Sequence, residues 1–129
     1  MVSNNNKKFW KIVELLNWDG QCREDKHEQL HEDLKDFCIQ ENLSLEKFQD
    51  YLYKFEGNLW DLVRDKNLNQ WKYRRDFISE DGMADCISHI VGLGKKEYQK
   101  CLSNPDEIIK RYDTRNFVES FNYITNDLQ

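Results

Sequence analysis

The chain has 129 residues, of which 39% are hydrophobic and 33% are charged, and this size and composition fit one folded domain better than two. The 4 Trp, 6 Tyr and 7 Phe supply large side chains for a core, which argues against a disordered chain. A formal net charge of −5 is opposite in sign to that of a general nucleic-acid-binding protein. No apolar run approaches the roughly 20 residues of a membrane span, and the N-terminus lacks a signal-like apolar stretch. We therefore expect a cytoplasmic protein with neither a nucleic-acid nor a membrane partner.

Apolar residues recur at helical spacing through the first half of the chain. The stripe from Phe9 to Leu16 predicts a first helix that stops at Asp19-Gly20. A second stripe runs from Leu30 to Cys38, on a helix that also carries many charged side chains. Ser44 is expected to cap a third helix, whose apolar residues extend from Leu45 to Val63.

Helical patterns continue in the second half. A short helix is predicted over 68–78, and Ser79 to Gly82 resembles the capped entry to a further helix that runs through Val91. Gly92 and Gly94 are expected to end that helix, because glycine favours helix termination.

Three further helices are predicted. One covers 95–102, one starts at Asn104-Pro105, and one covers 117–124. Asn is a good N-cap and Pro fits the first helical position. No hairpin or strand signal is present. The sequence thus predicts an all-α fold, a single compact bundle of about seven helices over 9–129, preceded by a flexible leader at 1–8.

The helical stripes also predict which side chains form the core. These side chains are Phe9, Ile12, Leu16, Leu34, Phe48, Leu52, Leu62, Trp71, Ile87, Ile90, Tyr98, Leu102 and Phe121.

The four cysteines do not form a recognisable metal or redox motif. Cys22, Cys38, Cys86 and Cys101 include no Cys-x-x-Cys pair and have no histidine at zinc-finger spacing. We expect buried, reduced thiols that serve packing, in a domain without a cofactor or bound metal.

One segment matches a catalytic pattern literally. His27-Glu28-Gln29-Leu30-His31 has the form His-Glu-x-x-His, in which two histidines on one helical face bind Zn²⁺ and the glutamate activates a water. The surrounding segment is polar, whereas a zincin motif helix is buried, and a third ligand would have to be a distant acid such as Glu56. We therefore favour two surface histidines, with a zinc-dependent hydrolase as the alternative.

The same helix carries a column of acids. Residues 19–50 contain ten acidic and four basic side chains, a net charge of −6. Glu24, Glu28, Glu32 and Asp36 follow one another at i+4 steps, which places them on one side of a helix. Such a column is either a solvated helix face or a negative surface that attracts a basic protein partner.

A second candidate surface lies around Trp71 and the next predicted helix start. The segment Trp71-Lys72-Tyr73-Arg74-Arg75 interleaves aromatic and basic side chains, as a surface that binds single-stranded nucleic acid can. One short cluster in an acidic protein is weak evidence for such a surface. We favour a buried apolar stripe whose basic side chains are exposed to solvent. Glu80, Asp81 and Asp85, together with Trp71, form the alternative protein-binding surface.

The stretch from Ser79 to Asp106 resembles the second half of an uncharacterised bacterial family called domain of unknown function 4240. The likeness spans about residues 9–124, opens on Phe9-Trp10 and includes Leu59-Trp60. This sequence departs from the family pattern at Ile87, where the family often has Arg, at His89, where it often has Trp, and at Phe77-Ile78, which replace a Gly-Cys turn. The resemblance implies a compact α-helical bundle and no established activity. The matching residues of the second half are Ser79, Asp81, Gly82, Met83, Ile90, Gly94, Tyr98, Leu102, Asn104, Pro105 and Asp106.

These observations favour binding over catalysis. We expect a protein-binding module without catalytic residues, of the kind exemplified by an immunity protein that neutralises a basic bacterial toxin, and we expect it to be a monomer or a weak homodimer. The expected binding residues are Glu24, Glu28, Glu32, Asp36, Trp71, Glu80, Asp81 and Asp85.

Overall fold

The computed structural model describes residues 4–18, 24–65 and 80–113. These ranges contain six α-helices and no strand, so the prediction of an all-α fold is confirmed. The helices expected over 68–78 and 117–124 lie outside the described residues. The six helices are α1 (Asn4–Leu16), α2 (Glu24–Gln40), α3 (Leu45–Asp65), α4 (Glu80–Gly92), α5 (Lys95–Ser103) and α6 (Asp106–Asp113).

The first helix begins earlier than its apolar stripe predicts, and it ends with the last residue of that stripe, before the expected stop signal. It starts at Asn4, so residues 4–8 of the expected leader are helical. It ends at Leu16, because Asn17 takes a left-handed conformation with φ of 48° and its N–H donates to the Glu14 carbonyl. The predicted stop at Asp19-Gly20 lies outside the described residues, beyond a turn that Asn17 has already made.

Two predicted helix starts agree with the observed ones. The Ser44 hydroxyl accepts a hydrogen bond of 3.1 Å from the backbone N–H of Lys47, which is the expected N-cap contact at the start of α3. The Asn104 carbonyl accepts the N–H of Glu107 at 2.9 Å in an i+3 turn, and Pro105 stands immediately before α6, as expected for a helix that restarts at Asn104-Pro105.

The core is a continuous cluster of buried side chains from all six helices. The helix pairs that pack most closely are α1 with α2 and α3, α3 with α2, α4 and α5, and α4, α5 and α6 with one another. Aromatic rings of α1, α3 and α5 meet at the centre. The ring centroids of Phe9 and Phe48 are 4.8 Å apart, and those of Trp10 and Tyr98 are 5.1 Å apart. Burial of these large rings supplies much of the stabilising apolar contact.

Most of the predicted core is confirmed, with one error. Leu62 is half-buried against the core, and Trp71 and Phe121 lie outside the described residues. The prediction for Leu102 is wrong, because this side chain is 37% exposed. The short α5 buries only the narrow stripe formed by Tyr98 and Cys101, and Leu102 lies beside that stripe. The buried residues among those predicted are Phe9, Ile12, Leu16, Leu34, Phe48, Leu52, Ile87, Ile90 and Tyr98.

Three of the four cysteines agree with the prediction of reduced, buried thiols. Cys38, Cys86 and Cys101 are free and buried, and Cys22 lies outside the described residues. Burial raises the pKa of Cys38 and of Cys101 to about 11, so both remain protonated thiols at neutral pH.

Within 4–18, 24–65 and 80–113, none of the helices combines the length and the apolar character needed to cross a bilayer.

Two glycines give opposite predictions for the same substitution. Gly94 joins α4 to α5 with φ of 119°, whereas Gly57 lies inside α3, and a Cβ at either position would meet no atom within 4 Å. Gly94→Ala should lower the free energy of unfolding by about 1 to 3 kcal/mol, because alanine resists this backbone conformation. Gly57→Ala should raise it by about 0.5 to 1 kcal/mol through helix propensity. Urea denaturation of both variants measures the difference, and two changes of the same sign would contradict the assigned conformations.

Candidate functional site: the outer face of the second helix

The second helix carries the largest net charge of the six described helices. Its 17 residues include six acidic and two basic side chains, which gives it a net charge of −4. Its inner side is apolar in part: Leu34 and Cys38 are buried, and Leu30 and Phe37 pack partly against the core. The opposite side of α2 is therefore available to solvent.

Three members of the predicted acidic column lie on that outer side. Glu28, Glu32 and Asp36 are all exposed, and we call these three residues the acidic face. Glu24 belongs to the first turn of α2, but its side chain lies outside the described residues. The i+4 spacing predicted the shared face correctly, because the interval of one helical turn keeps side chains on one side.

The acidic face is only partly neutralised. Lys35 Nζ lies 3.4 Å from Glu32 Oε1, across two side chains that are both well exposed. Among the side chains that the structure describes, none forms an ion pair with Glu28 or Asp36. Like charges at i+4 spacing destabilise an isolated helix by about 0.2 to 0.5 kcal/mol per pair. The face thus keeps a negative charge that the fold does not use.

The expectation that both histidines of the His-Glu-x-x-His motif are surface residues is wrong for His31. His31 is buried, because it precedes Leu34 by three residues and so belongs to the inner stripe of α2. Glu28 is exposed, and the side chain of His27 lies outside the described residues. In the described ranges, no group of three or more His, Cys, Asp or Glu side chains could hold a metal ion. Glu56, the distant acid that a zinc site would need as its third ligand, is buried in α3.

The alternative binding surface is placed only in part. Trp71 lies outside the described residues, and so do the side chains of Glu80 and Asp81, although both residues belong to the first turn of α4. Asp85 is half-buried in α4. α4 packs mainly on α3, α5 and α6, whereas α2 packs on α1 and α3, so these two helices belong to different parts of the bundle.

A polar cluster in the second half of the chain was not predicted. Arg111 of α6 makes ion pairs with Glu97 of α5 at 2.8 Å and with Glu107 of its own helix at 3.3 Å. The hydrogen bond from Arg111 holds the pKa of Glu97 below its usual value. Arg111 stands on the last turn of α6, where a cation is favourable, and its contacts tie α5 to α6.

Cys86 and His89 stand three residues apart on α4, the spacing at which a histidine can face a cysteine. Burial raises the pKa of Cys86 to about 12, and its Sγ lies 4.0 Å from the Ile108 carbonyl oxygen. Burial, together with the nearby charge of Arg111, lowers the pKa of His89 to about 4. At neutral pH both groups are uncharged, so the pair lacks the thiolate that a nucleophilic cysteine requires.

A second signal that sequence reasoning missed lies at the end of α2. Ile39 is 79% exposed, more than any other large hydrophobic side chain in the described residues. It follows Cys38 directly and is out of phase with the buried stripe, so an apolar residue at this position was the available signal. Ile39 comes three residues after Asp36 and lies on the same outer side of α2.

The buried His89 makes stability depend on pH. Its pKa is about 4 in the folded protein and about 6.5 when unfolded, so the unfolded chain binds a proton first as the pH falls. The free energy of unfolding should decrease by about 2 kcal/mol between pH 7 and pH 5. Urea denaturation across this range should show that decrease in the natural protein and a clearly smaller one in His89→Gln. Equal decreases would contradict the assignment; Glu97 contributes only at lower pH, because its lowered pKa acts below about 4.5.

Comparison with known proteins shows the family of this chain. Searches of curated proteins and of solved structures find nothing similar. The family described as "Protein of unknown function (DUF4240)" matches residues 5–128, nearly the whole chain. The chain therefore belongs to the DUF4240 family, as its Phe-Trp opening and the pattern from Ser79 to Asp106 indicated.

Proposed function

We propose that this chain is a non-catalytic protein-binding module, an immunity protein that acts in the cytoplasm and neutralises a basic bacterial toxin. The observation that carries the proposal is the acidic face of α2. Glu28 and Asp36 are exposed and form no ion pair with a described side chain, on a helix of net charge −4. We propose that the chain acts as a monomer or as a weak homodimer.

The acidic face destabilises α2 by charge repulsion and takes no part in packing, and this supports a binding role for it. Two like-charge steps, from Glu28 to Glu32 and on to Asp36, oppose helix formation, and the single ion pair to Lys35 offsets only part of the repulsion. The inner side of α2 already supplies the packing of this helix. A surface whose charges carry a cost and have no structural use is suited to binding a partner of opposite charge.

The acidic face also suits rapid capture of a toxin. A negative surface raises the local concentration of a cationic partner and increases the rate of association, whereas the final affinity depends more on close contacts. The helix that carries the face is anchored by buried residues, so the charges are held in a fixed arrangement before the partner arrives.

The proposal is tested by co-expression with the protein encoded by the adjacent gene. We expect this neighbour to be a basic toxin, the natural chain to restore growth, and the two purified proteins to form a complex. A neighbour that is neither toxic nor bound by the chain would overturn the proposal.

Charge reversal locates the binding surface. Glu28→Lys combined with Asp36→Lys should weaken the complex about tenfold, because attraction is replaced by repulsion. The same variant should be as stable as the natural protein or slightly more stable, since each new Lys forms a favourable i+4 pair with Glu32. Titration calorimetry measures the dissociation constant, and urea denaturation measures stability.

A matched control separates local charge from total charge. Glu14→Lys combined with Asp50→Lys changes the net charge equally, at exposed positions of α1 and α3. This control should retain binding to within about threefold, because screening at physiological salt limits the effect of distant charges. Equal weakening by both double variants would contradict a docking role for the acidic face.

A further inference from the structure

We propose that the acidic face recognises a basic segment carrying one large apolar side chain, and that this side chain enters a groove at the C-terminal end of α2. This inference rests on the proposed function and specifies the chemistry of the partner. It follows from a groove, an exposed isoleucine and the charges beside them.

The groove lies where α2 turns into α3 and has a volume of about 470 Å³. The buried Cys38 and Leu43 line it, together with the exposed Ile39 and the half-buried Leu45. These four side chains are apolar or nearly so, and the pocket is open to solvent. A large apolar side chain would therefore find apolar contacts there that solvent does not offer.

The backbone around the groove is fixed by the end of α2. Asn42 adopts a left-handed conformation with φ of 57°, the Leu43 N–H donates to the Cys38 carbonyl at 3.0 Å, and the Asn42 N–H donates to the Ile39 carbonyl at 3.1 Å. These are the two hydrogen bonds of a Schellman motif, and they set Leu43 beside Cys38. The groove is thus preformed, and its ordering needs no partner.

Ile39 contributes an apolar wall without contributing to the core. With 79% of its surface exposed, it gains little from folding, and burial by a partner would remove apolar surface from water. Lys35 also borders the groove, but its ammonium group forms an ion pair with Glu32, with 3.4 Å between Nζ and Oε1. Asp36 stands one helical turn before Ile39, so an apolar anchor and an acidic contact are adjacent on one surface.

The charges decide which occupant fits. A second copy of this chain docked symmetrically on the groove would place the acidic face of each copy near that of the other, and like charges in an interface are unfavourable. An anionic lipid surface would be repelled in the same way. A cationic segment satisfies the acidic face, and an apolar residue within it fills the groove.

Two synthetic peptides test the proposal. One is a short lysine-rich peptide with a single central leucine, and the other has serine in place of that leucine. The leucine peptide should bind the natural protein about tenfold more tightly, because burial of a leucine side chain is worth about that factor. On binding, the backbone amide resonances of Ile39, Leu43 and Leu45 should shift.

Variants of the protein separate the groove from the acidic face. Ile39→Ser should reduce the preference for leucine to less than about threefold while leaving the binding of the serine peptide unchanged. Tyr53→Ser, which removes an exposed apolar side chain from α3, should keep the full preference. Glu28→Lys with Asp36→Lys should weaken both peptides and preserve their ratio, since it alters charge alone.

The outcomes distinguish the two proposals. If both peptides bind equally to the natural protein and charge reversal weakens them, the groove proposal is overturned and the acidic face remains a cation-binding surface. A leucine preference that survives Ile39→Ser also overturns the groove proposal. If neither peptide binds, both the groove and the acidic face are rejected as binding surfaces.

Discussion

The aromatic contacts around Phe9 hold together helices that are distant in sequence, and the arrangement of the bundle depends on them. The ring centroid of Phe9 lies 4.9 Å from that of Trp10, 4.8 Å from that of Phe48 and 5.1 Å from that of Phe55, so Phe9 joins α1 to α3. Tyr98 of α5 completes the cluster, with its ring centroid 5.2 Å from that of Phe55. Its hydroxyl oxygen accepts a hydrogen bond from the Asn58 side-chain amide. Tilted and edge-on rings of this kind add favourable electrostatic contact to the burial of apolar area.

This central cluster leaves the outer side of α2 free for another role. The inner side of α2 packs on α1 and α3, whereas its outer side carries Glu28, Asp36 and Ile39, none of which supports the core. Under the proposed function, the residues that stabilise the fold and most of those that contact the partner would lie on opposite sides of one helix. Because Glu28, Asp36 and Ile39 are exposed, substitutions at these three positions should leave the fold intact.

The sequence patterns predicted the helices well and their finer details less well. Apolar periodicity and the Ser44 cap located α3, because both signals depend on residues close together in the chain. Burial depends also on which neighbours cover a face, and this is why Leu102 was expected in the core and His31 at the surface. Glu97 and Arg111 stand 14 residues apart and on different helices, so no local pattern predicted their ion pair.

The sequence predicts that the acids of α2 share one face, but it does not predict the groove beside them. The i+4 spacing of the acidic face follows from helix geometry alone. The groove beside Ile39 depends on the turn made by Asn42, which sets α3 against the end of α2, and periodicity carries no information on such a turn. An isoleucine out of phase with its stripe was the one local clue.

The salt dependence of the association rate tests most directly the claim that the outer side of α2 binds a basic partner. Stopped-flow mixing with the leucine-containing lysine-rich peptide gives this rate at increasing ionic strength. Electrostatic steering predicts a rate that falls several-fold as the salt concentration rises above roughly 0.15 M, where the screening length is about 8 Å. Reversal of Glu28 and Asp36 should give a slow rate at every salt concentration. A rate that responds neither to salt nor to the reversal would contradict the account.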